Sequence, residues 1–236
     1  MKILRIILFF VALSIFGEAC ADFAATEVEF RAWPDYCQAK YSLTNIGTQI
    51  GFSGRATPLQ IKRAQSLLGK FFVHVHHYCW AIAEERRFIR TKKNHWLEMA
   101  TGDAIYSLQR IDSRNVLYPM VLAVNARLEF YAGNIVKAMS ILDLGIDKRP
   151  DSQILYYFKA FILRKQGKIG SAQKILSDGL RVIHEPGSEY HYLYGLVCLE
   201  AKDLECAKDQ AQLAYAKGYP LQGLKNMLRR KGVEIN

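Results

Sequence analysis

Four short stretches of the chain share one pattern at one spacing. "AIYSL" begins at Ala104, "AMSIL" at Ala138, "AQKIL" at Ala172 and "AKDQA" at Ala207, in steps of 34, 34 and 35 residues. From residue 95 onward apolar residues recur at helical spacing, with no strand-like alternation. A period of this length holds two helices and a turn, and such units bury their apolar faces only by stacking. Other positions keep the register. Gly133 and Gly167 precede their alanines by five residues, with Lys202 in that place in the third repeat. Gly145, Gly179 and Ala214 follow by seven, and Pro150 closes its repeat.

This pattern resembles the tetratricopeptide repeat. That family places a small residue of helix A against a small residue of helix B, so that the helices approach closely. Ala126, Ala160 and Gly195 stand at the first position, and Ala138, Ala172 and Ala207 at the second. The resemblance implies an all-α fold, an α-solenoid of about three helix-turn-helix repeats at 119–152, 153–187 and 188–221. "HWLEMATGDAIYSLQRI" matches helix B of a fourth, degenerate repeat, and "PLQGLKNMLRRKG" matches the terminal helix that such stacks need. Glu129 and Leu163 depart from the usual aromatic near the end of helix A, and Ala211 from a bulky residue in helix B.

The resemblance also implies a binding face. In the family, the concave face is built mostly from helix A positions that do not pack within the repeat. Carried over, these are Arg127, Tyr131, Tyr157, Phe161, Arg164, Lys165, Tyr192 and Leu196. Aromatic and arginine side chains concentrate binding energy at interfaces. The expected partner is therefore a protein or peptide with apolar anchors and acidic residues. The family's lysine and asparagine clamp for a C-terminal carboxylate is absent: Ala123, Tyr157 and Tyr192 replace the lysine, and Arg127, Phe161 and Leu196 the asparagine.

The opening "MKILRIILFFVALSIFGEACA" has the three parts of a secretory signal peptide, ending at residue 21. Lys2 and Arg5 precede the apolar run Ile6 to Phe16, and Ala19-Cys20-Ala21 supplies small residues for cleavage. A lipoprotein acylated on Cys20 fits badly, because Gly17 and Glu18 stand where an aliphatic and a small residue belong. The expected location is periplasmic or secreted, with no membrane-spanning segment after cleavage. Cleavage takes the net charge from +10 to +9. Such a charge favours anionic partners, and export excludes nucleic acid as the physiological one. An acidic polysaccharide or the membrane surface is the alternative partner, through Lys225, Arg229, Arg230 and Lys231 with Lys62, Arg63 and Lys70. The four remaining cysteines fit two disulfides, Cys37 with Cys79 and Cys198 with Cys206, among three connectivities.

Residues 22–94 form a different, helical region ahead of residues 95–236. Thr26 and Glu29 read as a capping box, Pro34 interrupts that helix, and residues 45–57 read as a loop. Thr57-Pro58 opens a long helix expected to run to about Arg90. "WPDYC" and "HHYCW" together resemble a group of secreted bacterial proteins that join such a region to tetratricopeptide repeats, with no activity attached to the resemblance.

The stretch "FFVHVHHYCW" raises metal chemistry through His74, His76 and His77. On a continuous helix the apolar face is Ile61, Ala64, Leu68, Phe71, Val75, Tyr78 and Ile82. Cys79 lies beside that face, His74 flanks its other side, and His77 and Trp80 point away. Only pairs of ligands then meet, whereas zinc takes three or four protein ligands. Packing is the favoured reading, with Phe72, Val73 and Trp80 covered on a second side; metal binding by His74 and His77 is the lesser one. No haem, zinc-protease or phosphate-loop motif occurs, and Glu84-Glu85-Arg86-Arg87 reads as a solvated charged face. The chain reads as a scaffold without cofactor, not as an enzyme.

Overall fold

A computed structural model describes residues 24–235. The signal-peptide and Cys20 readings lie outside these residues. Among the described residues every regular element is a helix, and none is long and apolar enough to cross a membrane. Two compact units divide the chain, one up to Ala83 and one from Glu84 onward.

In the first unit, α1 (Glu27–Ala32) opens on Thr26, whose hydroxyl accepts the Glu29 N–H while the Glu29 carboxylate accepts the Thr26 N–H at 2.9 Å. This is the expected capping box. Helix α2 (Asp35–Tyr41) follows Pro34. A short α3 (Asn45–Gln49), capped by Thr44, lies where a loop was expected. Helix α4 (Pro58–Leu68) starts with the second predicted capping box, Thr57 and Gln60.

The single long helix expected from residue 58 is broken. Gly69 takes a left-handed φ of 53°, open to glycine without steric cost, and its N–H closes on the Gln65 carbonyl. A 3₁₀ turn, Gly69–Val73, leads to α5 (Val75–Thr91). Residues 75–83 of α5 belong to the first unit and 84–91 to the second.

Aromatic rings fill the core of the first unit. Phe30 stacks on Phe52 at 4.5 Å, and Trp80 meets Trp33 at 5.4 Å and Tyr41 at 5.6 Å. Trp80 is therefore buried, whereas Val73, expected to be covered with it, is exposed. The Cys37–Cys79 disulfide ties α2 to α5.

The second unit continues with α6 (Asn94–Leu108) and then the repeats. These are α7 (Tyr118–Tyr131) with α8 (Ile135–Lys148), α9 (Gln153–Lys165) with α10 (Ile169–Leu180), and α11 (Ser188–Glu200) with α12 (Leu204–Ala216). Helix α13 (Gly223–Arg229) packs on α11 and α12. The partners of each pair pack together, the first helix of each pair packs on the next first helix, and each second helix packs on the following pair.

Small residues set the spacing. Ala126, Ala138, Ala160, Ala172 and Ala207 are fully buried. A Cβ on Gly195 would lie 2.5 Å from Leu224 and 3.4 Å from the Ala207 carbonyl. Each turn between paired helices repeats one closure. Gly133, Gly167 and Lys202 take φ of 84°, 73° and 65°. The next N–H, of Asn134, Lys168 and Asp203, reaches back to the carbonyl of Glu129, Leu163 and Cys198 at 2.8–2.9 Å. That closure satisfies carbonyls that the helix end leaves free.

Candidate functional site

The helix A face of the second unit carries a continuous row of aromatic rings. Its helices present residues four apart on one stripe, and Tyr157, Phe161 and Lys165 are so placed on α9. From α7, Tyr131 touches Phe88 of α5 at 5.7 Å and Phe130 at 5.7 Å. Phe130 meets Phe161 at 6.1 Å, Phe161 meets Phe158 at 6.4 Å, and Phe158 meets Tyr157 at 5.1 Å. All six rings are part-buried. These edge-on and tilted pairs lie within the range in which aromatic pairs attract.

The row runs between two cavities. One, of about 570 Å³, is lined by Asn94, Leu97, Glu98, Thr101, Tyr131 and Ala132. The other, of about 370 Å³, is lined by Gln153, Ile154, Tyr157, Phe158, Glu189 and Tyr190. Tyr192 stacks on Tyr219 at 4.1 Å instead of joining the row. Burial raises the Tyr219 phenol, and Tyr192, Tyr157 and Glu189 add to it, so these groups surround one spot. Burial also raises Tyr157, with Glu189 adding and Arg127 and Arg164 opposing.

The cations of this face are mostly engaged. The Arg127 guanidinium grips Glu85 through two hydrogen bonds, with Nε at 2.6 Å from Oε1, and lies 4.4 Å from the Phe158 ring centre. Glu85 is 5% exposed and Arg127 is part-buried, so this is a sheltered, bidentate pair of the strong kind. Arg164 holds Glu200 at 2.6 and 2.9 Å. Lys165, exposed, sits 5.6 Å over Phe161. The face is more aromatic than basic.

Sequence reasoning placed Arg127, Tyr131, Tyr157 and Phe161 here but missed Phe88, Phe130, Phe158 and Glu85. Phe158 was legible, lying three residues before Phe161. Glu85 was not, because its partner is 42 residues away. Glu84 and Glu85 are both buried, as is Arg87, which corrects the solvated-face reading. Burial pushes the Glu84 carboxyl up to about 8, Asp103 adding to the rise and Arg87 opposing it.

The histidines do not form a ligand set. Among the described residues, His74, His76 and His77 bring no three donors together, and the group that does converge is Cys198, Asp203 and Cys206. The His76 ring lies 4.3 Å from that of His77. Burial, with His77 and Lys40 nearby, lowers His76 to about 4.

Those cysteines occupy a recurrent position. Counting by the repeat, residues 129 and 137 correspond to 163 and 171 and to 198 and 206. In the first pair Glu129 receives Lys137 at 2.5 Å and the Asn134 amide at 2.8 Å. In the third pair Cys198 and Cys206 are joined as a disulfide. The second pair has Leu163 and Ser171, which can form neither link. The same turn is thus clasped ionically, left open, and clasped covalently.

The fold and the face define a helical-repeat protein. No protein-family model and no curated protein matches the sequence. Among solved structures, the chain is similar to a tetratricopeptide repeat protein from Parabacteroides merdae, at 18% identity, over 84% of this chain and 85% of that one, with a TM-score of 0.46.

Proposed function

We propose that this chain is an exported helical-repeat scaffold that binds an extended segment of a partner protein along its aromatic row, within a cell-envelope or secretion assembly. The row linking two cavities carries the reading, because two pockets joined by part-exposed rings suit a peptide with two apolar anchors. Glu85 and Glu200 neutralise Arg127 and Arg164, so affinity rests on those anchors, and acidic residues add contact only near Lys165. Export is supported by the signal-like start and by two disulfides.

Selection of displayed random peptides on the immobilised protein tests this. Recovered peptides should carry paired aliphatic or aromatic residues and bind almost independently of salt. They should lose roughly tenfold or more in affinity for a Tyr157→Ala/Phe158→Ala variant, as expected when an interface anchor worth over 1 kcal/mol is truncated. Equal binding by that variant refutes the site. Binding that collapses as salt rises points instead to polyanion recognition.

A further inference from the structure

We propose that the Cys198–Cys206 clasp, once reduced, is a binding site for one thiophilic divalent cation such as Zn²⁺, with Asp203 as third ligand. Three observations converge. First, the disulfide holds the Cys198 and Cys206 sulfurs together, and a carboxylate oxygen of Asp203 lies within 4.8 Å of both. Reduction would free two sulfurs beside a carboxylate oxygen, a set zinc accepts with its fourth position open.

Second, the backbone at Cys206 favours a thiolate, offsetting part of the repulsion from Asp203. Cys206 lies in the first turn of α12, and Asp203 caps that helix by accepting the Cys206 N–H at 3.1 Å. A helix N-terminus lowers the cost of negative sulfur. Third, the site is sheltered yet reachable. Cys198 is fully buried, Cys206 part-buried and Asp203 exposed, so an ion enters from the Asp203 side. The Gln173 side-chain nitrogen lies 3.2 Å from the Asp203 carboxylate and 3.9 Å from the Cys198 sulfur, closing one flank.

The conversion balances with a dithiol as reductant. Its two thiols give two electrons and two protons to the Cys198–Cys206 bond, which breaks to two cysteine thiols while the dithiol becomes a disulfide. The cation then displaces both thiol protons to solvent and forms two metal–thiolate bonds, as deprotonated ligands require. The cation restores the link between α11 and α12 that reduction removes. A reducing, metal-replete setting and an oxidising one would then both keep the third turn clasped, by different bonds. The site is separate from the aromatic row and does not depend on the peptide-binding proposal.

The test uses the full chain, reduced with a dithiol that is then removed without air, and titrated with Co²⁺ alone, followed by Zn²⁺. The expected result is one Co²⁺ per reduced chain, a thiolate-to-cobalt charge-transfer band, its loss on adding Zn²⁺, and no band in the oxidised chain. Asp203→Asn should weaken binding by roughly tenfold or more, since even outer-shell partners of metal ligands contribute that much. Cys198→Ser/Cys206→Ser should abolish the band, and Cys206→Ser alone serves if the double variant misfolds. The proposal fails if the reduced chain gives no band. It fails equally if the band survives both cysteine variants, which would place the ion at Cys37, Cys79 or the histidines, or if Asp203→Asn binds unchanged.

Discussion

At the scale of single residues, two buried groups set opposite responses to pH. Glu84 is fully buried, and neither of its carboxyl oxygens has a hydrogen-bond partner among the described residues. Its folded pKa of about 8 stands above the ordinary 4.5, so between those values the folded chain holds more protons than the unfolded one. Stability from this group is full below pH 4.5 and is lost as pH rises through 8. His76 works the other way: its folded value of about 4 lies below 6.5, so its contribution is present above pH 6.5 and is lost as pH falls through 4. Above pH 6.5 only Glu84 of the two still titrates. Urea midpoints should therefore fall between pH 6.5 and 8 in the native chain and stay level there in Glu84→Gln. A fall of equal size in the variant would show that Glu84 is not the group responsible. None of this was legible in "AEERR", since charged residues are rarely buried unless paired, and the Arg127 partner of Glu85 lies in another helix.

At the scale of elements, the helix pairs were legible because spacing alone dictates them, and the turns show how far that holds. Lys202 occupies a left-handed position where Gly133 and Gly167 stand in the other repeats. An L-residue costs about 1 kcal/mol there, so Lys202→Gly should raise stability by up to about 0.5 kcal/mol, net of the glycine's greater unfolded freedom. Thermal melts check it, and a lower midpoint would contradict the geometry. Gly179 has the reverse character. A Cβ there would lie 2.2 Å from the Tyr190 hydroxyl, which donates to the Leu176 carbonyl at 2.7 Å. Gly179→Ala should cost about 1–3 kcal/mol, the usual range for overpacking, and less in a Tyr190→Phe background. Equal cost in both backgrounds would place the clash elsewhere. The break at Gly69 was hidden, because one glycine in an apolar helical pattern is compatible with an unbroken helix. The first helical face survived it, since Leu68, Phe71, Val75 and Tyr78 are all buried.

At the scale of the whole molecule, the two units depend on different sources of stability. The described first unit is of a size that buries little surface, and such units lean on covalent staples. Its disulfide closes a separation of 42 residues, which limits unfolded-chain freedom by about 4 kcal/mol in the loop-entropy account. In Cys79→Ser, amide exchange should therefore accelerate through residues 24–83 while helices α7 to α13 keep their protection. Uniform acceleration would show that the units do not unfold separately. The Cys37–Cys79 pairing was readable from the cysteine count and their order, whereas the convergence of Cys198, Asp203 and Cys206 needed the turn geometry. The clasps have a mechanical consequence. Under tension a stack parts first where it is least tied, and here that joint is fixed by sequence. The Cys198–Cys206 bond ties its own hairpin and Glu129 with Lys137 ties the first, whereas Leu163 and Ser171 give α9 and α10 no such link. That hairpin also carries Tyr157, Phe158 and Phe161, so the proposed peptide site sits on the one hairpin of the three whose turn has neither clasp.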